Sequence, residues 1–234
     1  MLAGHFTTAI LARQRVPSGH IGFYLVASQL PDLLWLAFHY LGLEPTAPDN
    51  FMVMTLQTLD ANMTYSHDLL PLPVWALVTL LAGRGLFGSW KPGQAGAVLV
   101  VVHGLVDFLG GFDHHVFGPD TPSVATALYG TAPYLAITLE LVFVVATMAW
   151  VVRTDAANGV RRGRRTWGMR VAVFGGGLAF MYLTATQSVA ELWGVDPNPN
   201  LSGTAMPTLI GTYWGLLLAL WWGESQDGTQ SSTL

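Results

Sequence analysis

An all-α membrane helix bundle is the fold class this sequence predicts. Three observations predict it: too few charges for a water-facing surface, six long apolar segments, and basic residues confined to one side of them. Of the 234 residues, 52% are hydrophobic and 10% charged, against about 25% charged in an ordinary soluble domain. So few charges cannot cover a surface in water, and lipid takes their place. A formal net charge of -4, with no basic patch interleaved with aromatics, excludes nucleic acid as a partner. Cysteine is absent, which excludes disulfides, thiolate catalysis and Cys-based zinc sites. Any metal here has to be held by His and carboxylate.

A hydrocarbon core about 30 Å thick takes roughly 20 apolar residues in a helix. Six segments have that length: about 20–42, 68–86, 94–112, 126–152, 167–189 and 204–223. Lipid offers no partner to a bare amide, so each is expected to be helical throughout. Residues 3–13 are too short to span and read as an interfacial or re-entrant helix. Arg13 and Arg15 follow with no clear small-residue cleavage site, so this stretch does not read as a cleaved signal peptide. Residues 1–223 then form a single transmembrane domain. The Ser/Thr/Gln-rich stretch 224–234 is expected to be a polar, flexible tail.

Alternating the six spans puts every Lys and Arg on one side, the positive-inside pattern. Arg13 and Arg15, Arg84 and Lys91, and the run from Arg153 to Arg170 share that side, while Glu44, Asp49, Asp60, Asp113 and Asp120 face the other. The expected location is the bacterial cytoplasmic (inner) membrane, multi-pass, with both termini cytoplasmic. Trp90, Trp150, Trp167 and Trp193 sit near span ends as interfacial anchors. The Arg161–Arg165 run sets topology and attracts anionic headgroups, which makes membrane lipids the expected partners.

Ionisable groups inside spans cost several kcal/mol unless paired or hydrated, so each is a functional candidate. Asp32 follows Pro31 in the first span, where a local kink is expected. His67 and Asp68 open the second span; His103 and Asp107, four residues apart, stack on one helical face of the third. Under the alternating topology Asp32, His67, His103 and Asp107 lie at one depth, in the outer half of the membrane, on three helices. Imidazole and carboxylate suit zinc, or manganese if more oxygens join, and a free carboxylate such as Asp68 could move protons as the general base. Each group also has a structural reading. His103 and Asp107 suit an interhelical hydrogen bond equally well, and His114 and His115 read as solvated loop side chains. Glu140 is expected to pair with Gln187 or a serine. Gly175-Gly176-Gly177 suits close helix packing.

His5, Pro31-Asp32, Ser66-His67 and the His103/Asp107 pair together resemble the bacterial family of membrane-bound metal-dependent hydrolases, over roughly residues 1–115. The resemblance implies a divalent-metal site made by Asp32, His67, His103 and Asp107, with His5 joining if the N-terminal segment folds back into the bundle. The alternating topology instead leaves His5 on the inner side, away from the others. The chain departs from the family pattern at Leu33-Leu34-Trp35, where further Asp and His residues are usual, and at Asn62-Met63-Thr64-Tyr65, which replaces an Arg-Gly stretch. Two functions stay open: a metal-dependent hydrolase, or a non-catalytic accessory subunit of a larger membrane complex, associated with other membrane subunits, pigment or lipid. A transporter using Asp32, Asp107 and Glu140 is disfavoured by the lack of inverted repeats.

Overall fold

Proline decides where the first apolar segment breaks. In the computed structural model, which describes residues 2–225, this segment forms α2 (Ile21–Ser28) and α3 (Leu30–Tyr40), bent by 62°. Pro31 has no N–H to donate to the carbonyl one turn earlier, and its ring crowds that turn. His20 starts α2, its Nδ1 accepting the Gly22 N–H at 3.1 Å. Ser28 ends α2, where carbonyls lack intrahelical partners; the site uses this one.

The chain opens with α1 (Leu2–Arg15). After α3 come a two-stranded antiparallel ribbon, β1 (Thr46–Ala47) with β2 (Asp60–Ala61), and a 3-10 turn at Phe51–Val53 between them. Thr46 pairs with Ala61, and the Trp35 indole N–H donates to Thr46 Oγ1 at 3.0 Å, tying the ribbon to α3. The remaining helices are α4 (Pro71–Phe87), α5 (Trp90–Gly110), α6 (Leu128–Thr131), α7 (Pro133–Ala157), α8 (Arg164–Arg170), α9 (Gly176–Leu183), α10 (Val189–Trp193) and α11 (Ala205–Glu224). The chain is mostly helical.

α4 and α5 form a hairpin across Gly88, whose φ of 63° suits glycine. They pack backbone against backbone: a Cβ on Gly83 would lie 2.5 Å from the Gly93 Cα. α1 lies inside the bundle, against α2, α5 and α7. Its Ala3, Phe6 and Ile10, at helical spacing, are buried with Tyr24, Leu25 and Val144. The N-terminal helix is thus a core element, and it carries His5 inward to a residue exposure of 1%. The expectation that His5 stands apart is corrected: packing of this apolar face outweighs the helix's shortness.

Among the described residues, two helices, α5 and α7, are long and apolar enough to cross a membrane; a third span results if the bent α2–α3 pair counts as one. The expected six spans are not met on these criteria. α4 has 17 residues, about 26 Å at 1.5 Å per residue, short of a core of roughly 30 Å. The fifth segment divides into α8, a π-turn at Val171–Gly175 and α9. α11 has 20 residues, but Pro207, Thr208, Thr212 and Tyr213 dilute its apolar run. Of the expected tail, Glu224 closes α11 and Ser225 follows it; the rest lies outside the described residues.

Candidate metal centre

Three parts of the chain bring the site together. The bend before Pro31 presents Asp32, the turn before α4 presents His67, and the C-terminal part of α5 presents His103 and Asp107 from one face. All four are buried, and they offer ligand atoms within 4.8 Å of one another, a group that could hold a metal ion. The orientation of each imidazole follows from what its other nitrogen touches. His103 Nδ1 lies 2.7 Å from the Ser28 carbonyl oxygen. A carbonyl only accepts, so Nδ1 carries the proton and Nε2 keeps its lone pair. His67 Nδ1 lies 2.8 Å from Ser66 Oγ. That hydroxyl spends its one hydrogen on Glu44 Oε1 at 3.1 Å, so His67 Nδ1 donates, and again Nε2 is bare.

Two bare nitrogens and two carboxylates therefore converge with only acceptors facing one another. His67 Nε2 and His103 Nε2 are 3.3 Å apart. His67 Nε2 is 3.2 Å from Asp32 Oδ1 and 3.8 Å from Asp107 Oδ2; His103 Nε2 is 3.9 Å and 3.2 Å from the same two oxygens. A tetrahedron with metal–ligand bonds of about 2.1 Å has edges of about 3.4 Å. The five separations fall around that edge, and the donor set of two imidazoles and two carboxylates is one that zinc or manganese accepts. The residues present fit a divalent cation.

The surroundings hold these groups in place. Glu44 Oε1 also accepts the Tyr65 and Ser66 N–H groups at 2.7 and 2.8 Å. Burial raises the Glu44 pKa, and these donors pull it the other way. Tyr213 of α11 lines the same pocket as Asp32. The Gln29 amide, turned to satisfy both neighbours, donates to Asp32 Oδ2 at 3.0 Å and accepts from Phe6 N at 3.3 Å. His5 Nε2 lies 3.1 Å from Asp107 Oδ1, its ring stacked on His103 at 3.6 Å between centroids. So His5 joins the cluster through Asp107.

Asp68 is directed elsewhere. Its two oxygens accept the N–H groups of His115 and Gly118, fastening the loop after α5. It lines a pocket with Asp60, Asp113 and His115, and not the cavity bordered by Asp32, His67 and Asp107. The proton-moving role expected of Asp68 has no geometric support.

His114, expected in solvent, is 1% exposed and stacks on His67 at 5.3 Å. Burial, and then the neighbouring His67, lower its pKa to about 3, so it is neutral. A loop flanked by glycine and proline gives no hint of this. Glu140 accepts the Ala3 and Gly4 N–H groups and the Tyr129 hydroxyl. It caps the start of α1, rather than pairing with Gln187 or a serine as expected. The supporting Glu44 and Gln29, and the pocket-lining Tyr213, carried no sequence signal beyond being polar groups next to apolar segments.

No family model, curated protein or solved structure matches the chain.

Proposed function

We propose that the protein is a membrane-embedded hydrolase dependent on a divalent cation, zinc or manganese, held by Asp32, His67, His103 and Asp107. One observation carries this reading: four acceptor atoms converge in a buried site while both imidazole protons point outward. When bound, such a cation polarises a substrate oxygen and lowers the pKa of water to about 7. The chain's own groups do the rest. His5 and Gln29 steady the two carboxylates, and Glu44 and Ser66 keep the proton of His67 on Nδ1. The thinned motif that suggests an accessory subunit removes none of these four residues.

The reading includes a bilayer around the whole bundle, crossed by all six apolar segments in a bacterial cytoplasmic membrane with both termini inside. Support comes from the outward faces of the shorter helices, where Val74, Leu77 and Leu81 of α4 are about half exposed, and from the one-sided Lys and Arg. Elemental analysis of the protein, purified without chelator, tests the site. Near one equivalent of zinc or manganese is expected in the parent and none in His103→Ala. Equal metal in both, or none in the parent, overturns the reading.

A further inference from the structure

A cavity of about 330 Å³ opens onto the cluster, within the range of small-molecule sites, about 300–1,000 Å³. Asp32, His67 and Asp107 form its floor, and Trp35, Leu59, Met63, Phe112, Met181 and Leu209 contribute apolar wall. Its mouth is on the side of the bundle. Phe180 of α9 lines the cavity yet is 49% exposed, stacked parallel on Phe51 at 6.4 Å. Thr212 of α11 is likewise both lining and exposed. On the same two helices Tyr182, Leu183, Trp214 and Leu218 are exposed, apolar surface that suits acyl chains.

Resting on the hydrolase reading above, we infer that the substrate is an uncharged ester of one long apolar chain, entering sideways from the bilayer between α9 and α11. The chain lies along the apolar wall and the ester carbonyl meets the floor. Charge decides against a phosphoester. Two carboxylates balance a divalent cation, and no Lys or Arg lines the cavity. A phosphate's negative charge would enter a low-dielectric site with nothing to offset it. In the reaction, the oxygen of water bonds to the carbonyl carbon and the bond to the alcohol oxygen breaks. The proton of water ends on that oxygen, giving a fatty acid and an alcohol.

The test uses full-length protein in nanodiscs, loaded with zinc or manganese. It compares p-nitrophenyl esters from acetyl to palmitoyl with alkyl p-nitrophenyl phosphates of matched length. The expected kcat/KM rises with acyl length by up to about fourfold per methylene until the cavity is full, and the phosphates turn over at least about tenfold more slowly. Thr212→Trp, a change at the exposed mouth, brings the palmitoyl-to-acetyl ratio towards one while bound metal stays at the parent level. A palmitoyl diazirine probe, read by mass spectrometry, labels segments 180–184 and 209–213.

Turnover without chain preference, an unchanged ratio in Thr212→Trp, or label spread over the bundle overturns the cavity assignment and leaves the hydrolase reading standing. Phosphates preferred over acyl esters overturn the charge argument alone. Bound metal with no turnover of either series, and no bound metal at all, overturn the hydrolase reading itself.

Discussion

The two ends of α1 reach two buried clusters of charged groups, and the clusters are built on opposite principles. Near its start, His5 touches the Asp32/His67/His103/Asp107 group. Near its other end, about 14 Å along the helix axis at 1.5 Å per residue, Gln14 donates to Asp155 at 2.7 Å. There Arg162 clasps Asp155 through two bonds of 2.8 Å, and Arg170 clasps Glu224 through bonds of 2.7 and 3.0 Å. Donors meet acceptors in planar pairs, the geometry guanidinium and carboxylate favour, and the cluster ties α1, α7, α8 and α11 together. At the His/Asp cluster acceptors meet acceptors. In one group each carboxylate already has its guanidinium; the other is a set of acceptors that could hold a cation. Burial of ionisable groups alone therefore does not distinguish a brace from a site, whereas the sign of what faces what does.

Five experiments sharpen or break this contrast. The largest effect is expected at the His/Asp cluster. A cation at about a thousand times its dissociation constant adds about 4 kcal/mol of stability to the parent, read as a melting shift on chelation, and His103→Ala abolishes that shift. A chelator-sensitive melt in the variant would mean the cation sits elsewhere. Acid should release the metal as well, because protons compete for the bare Nε2 atoms of His67 and His103. Zinc content measured after dialysis at falling pH checks this.

Next in size, Glu224→Ala leaves the Arg170 guanidinium buried without its carboxylate, a loss of about 3–5 kcal/mol. It should lower the melting temperature with and without chelator alike, leaving metal content unchanged. Loss of metal in this variant would show that the two clusters are coupled through α1.

Ser66→Ala removes the group that keeps the proton of His67 on Nδ1. Metal affinity, read by competition with a chromogenic chelator, should weaken by roughly 10–100-fold. A change below twofold would mean the tautomer is set by something else. The smallest change is expected when Arg170→Met and Glu224→Leu are combined. A buried ion pair replaced by apolar groups of similar size is often neutral, and here one Arg170 nitrogen, Nη1, is already without a partner. A large loss in the double variant would make the pair a net stabiliser and overturn the view of it as a self-contained brace.

Much of the cluster was legible in the chain. Asp32, His67, His103 and Asp107 stand out because an acid or imidazole set in apolar sequence has to find partners, and the four-residue spacing of His103 and Asp107 puts them on one face. The helices lie close to where the apolar segments predicted them. What escaped depends on contacts between distant segments. His114 sits in a stretch rich in glycine, proline and aspartate, like any wet loop, until Phe108 and His67 close over it. Glu140 found its partners in the backbone of α1, which no side-chain pattern encodes. The count of spans slipped because a hydropathy window reads through the bend at Gln29 and the π-turn at Val171–Gly175 as though the helix were continuous, and does not register the shortness of α4 or the polar residues of α11.

By itself, the sequence determined that the chain is helical, that its charges are few, and which polar groups need an internal partner, because these follow from local composition and period. Only the tertiary structure decided that α1 enters the core, that His5 meets Asp107, that both imidazole protons turn outward and that Asp68 turns to a loop instead. Those outcomes depend on which carbonyl or hydroxyl lies beside each ring, a matter of packing between segments far apart in the chain.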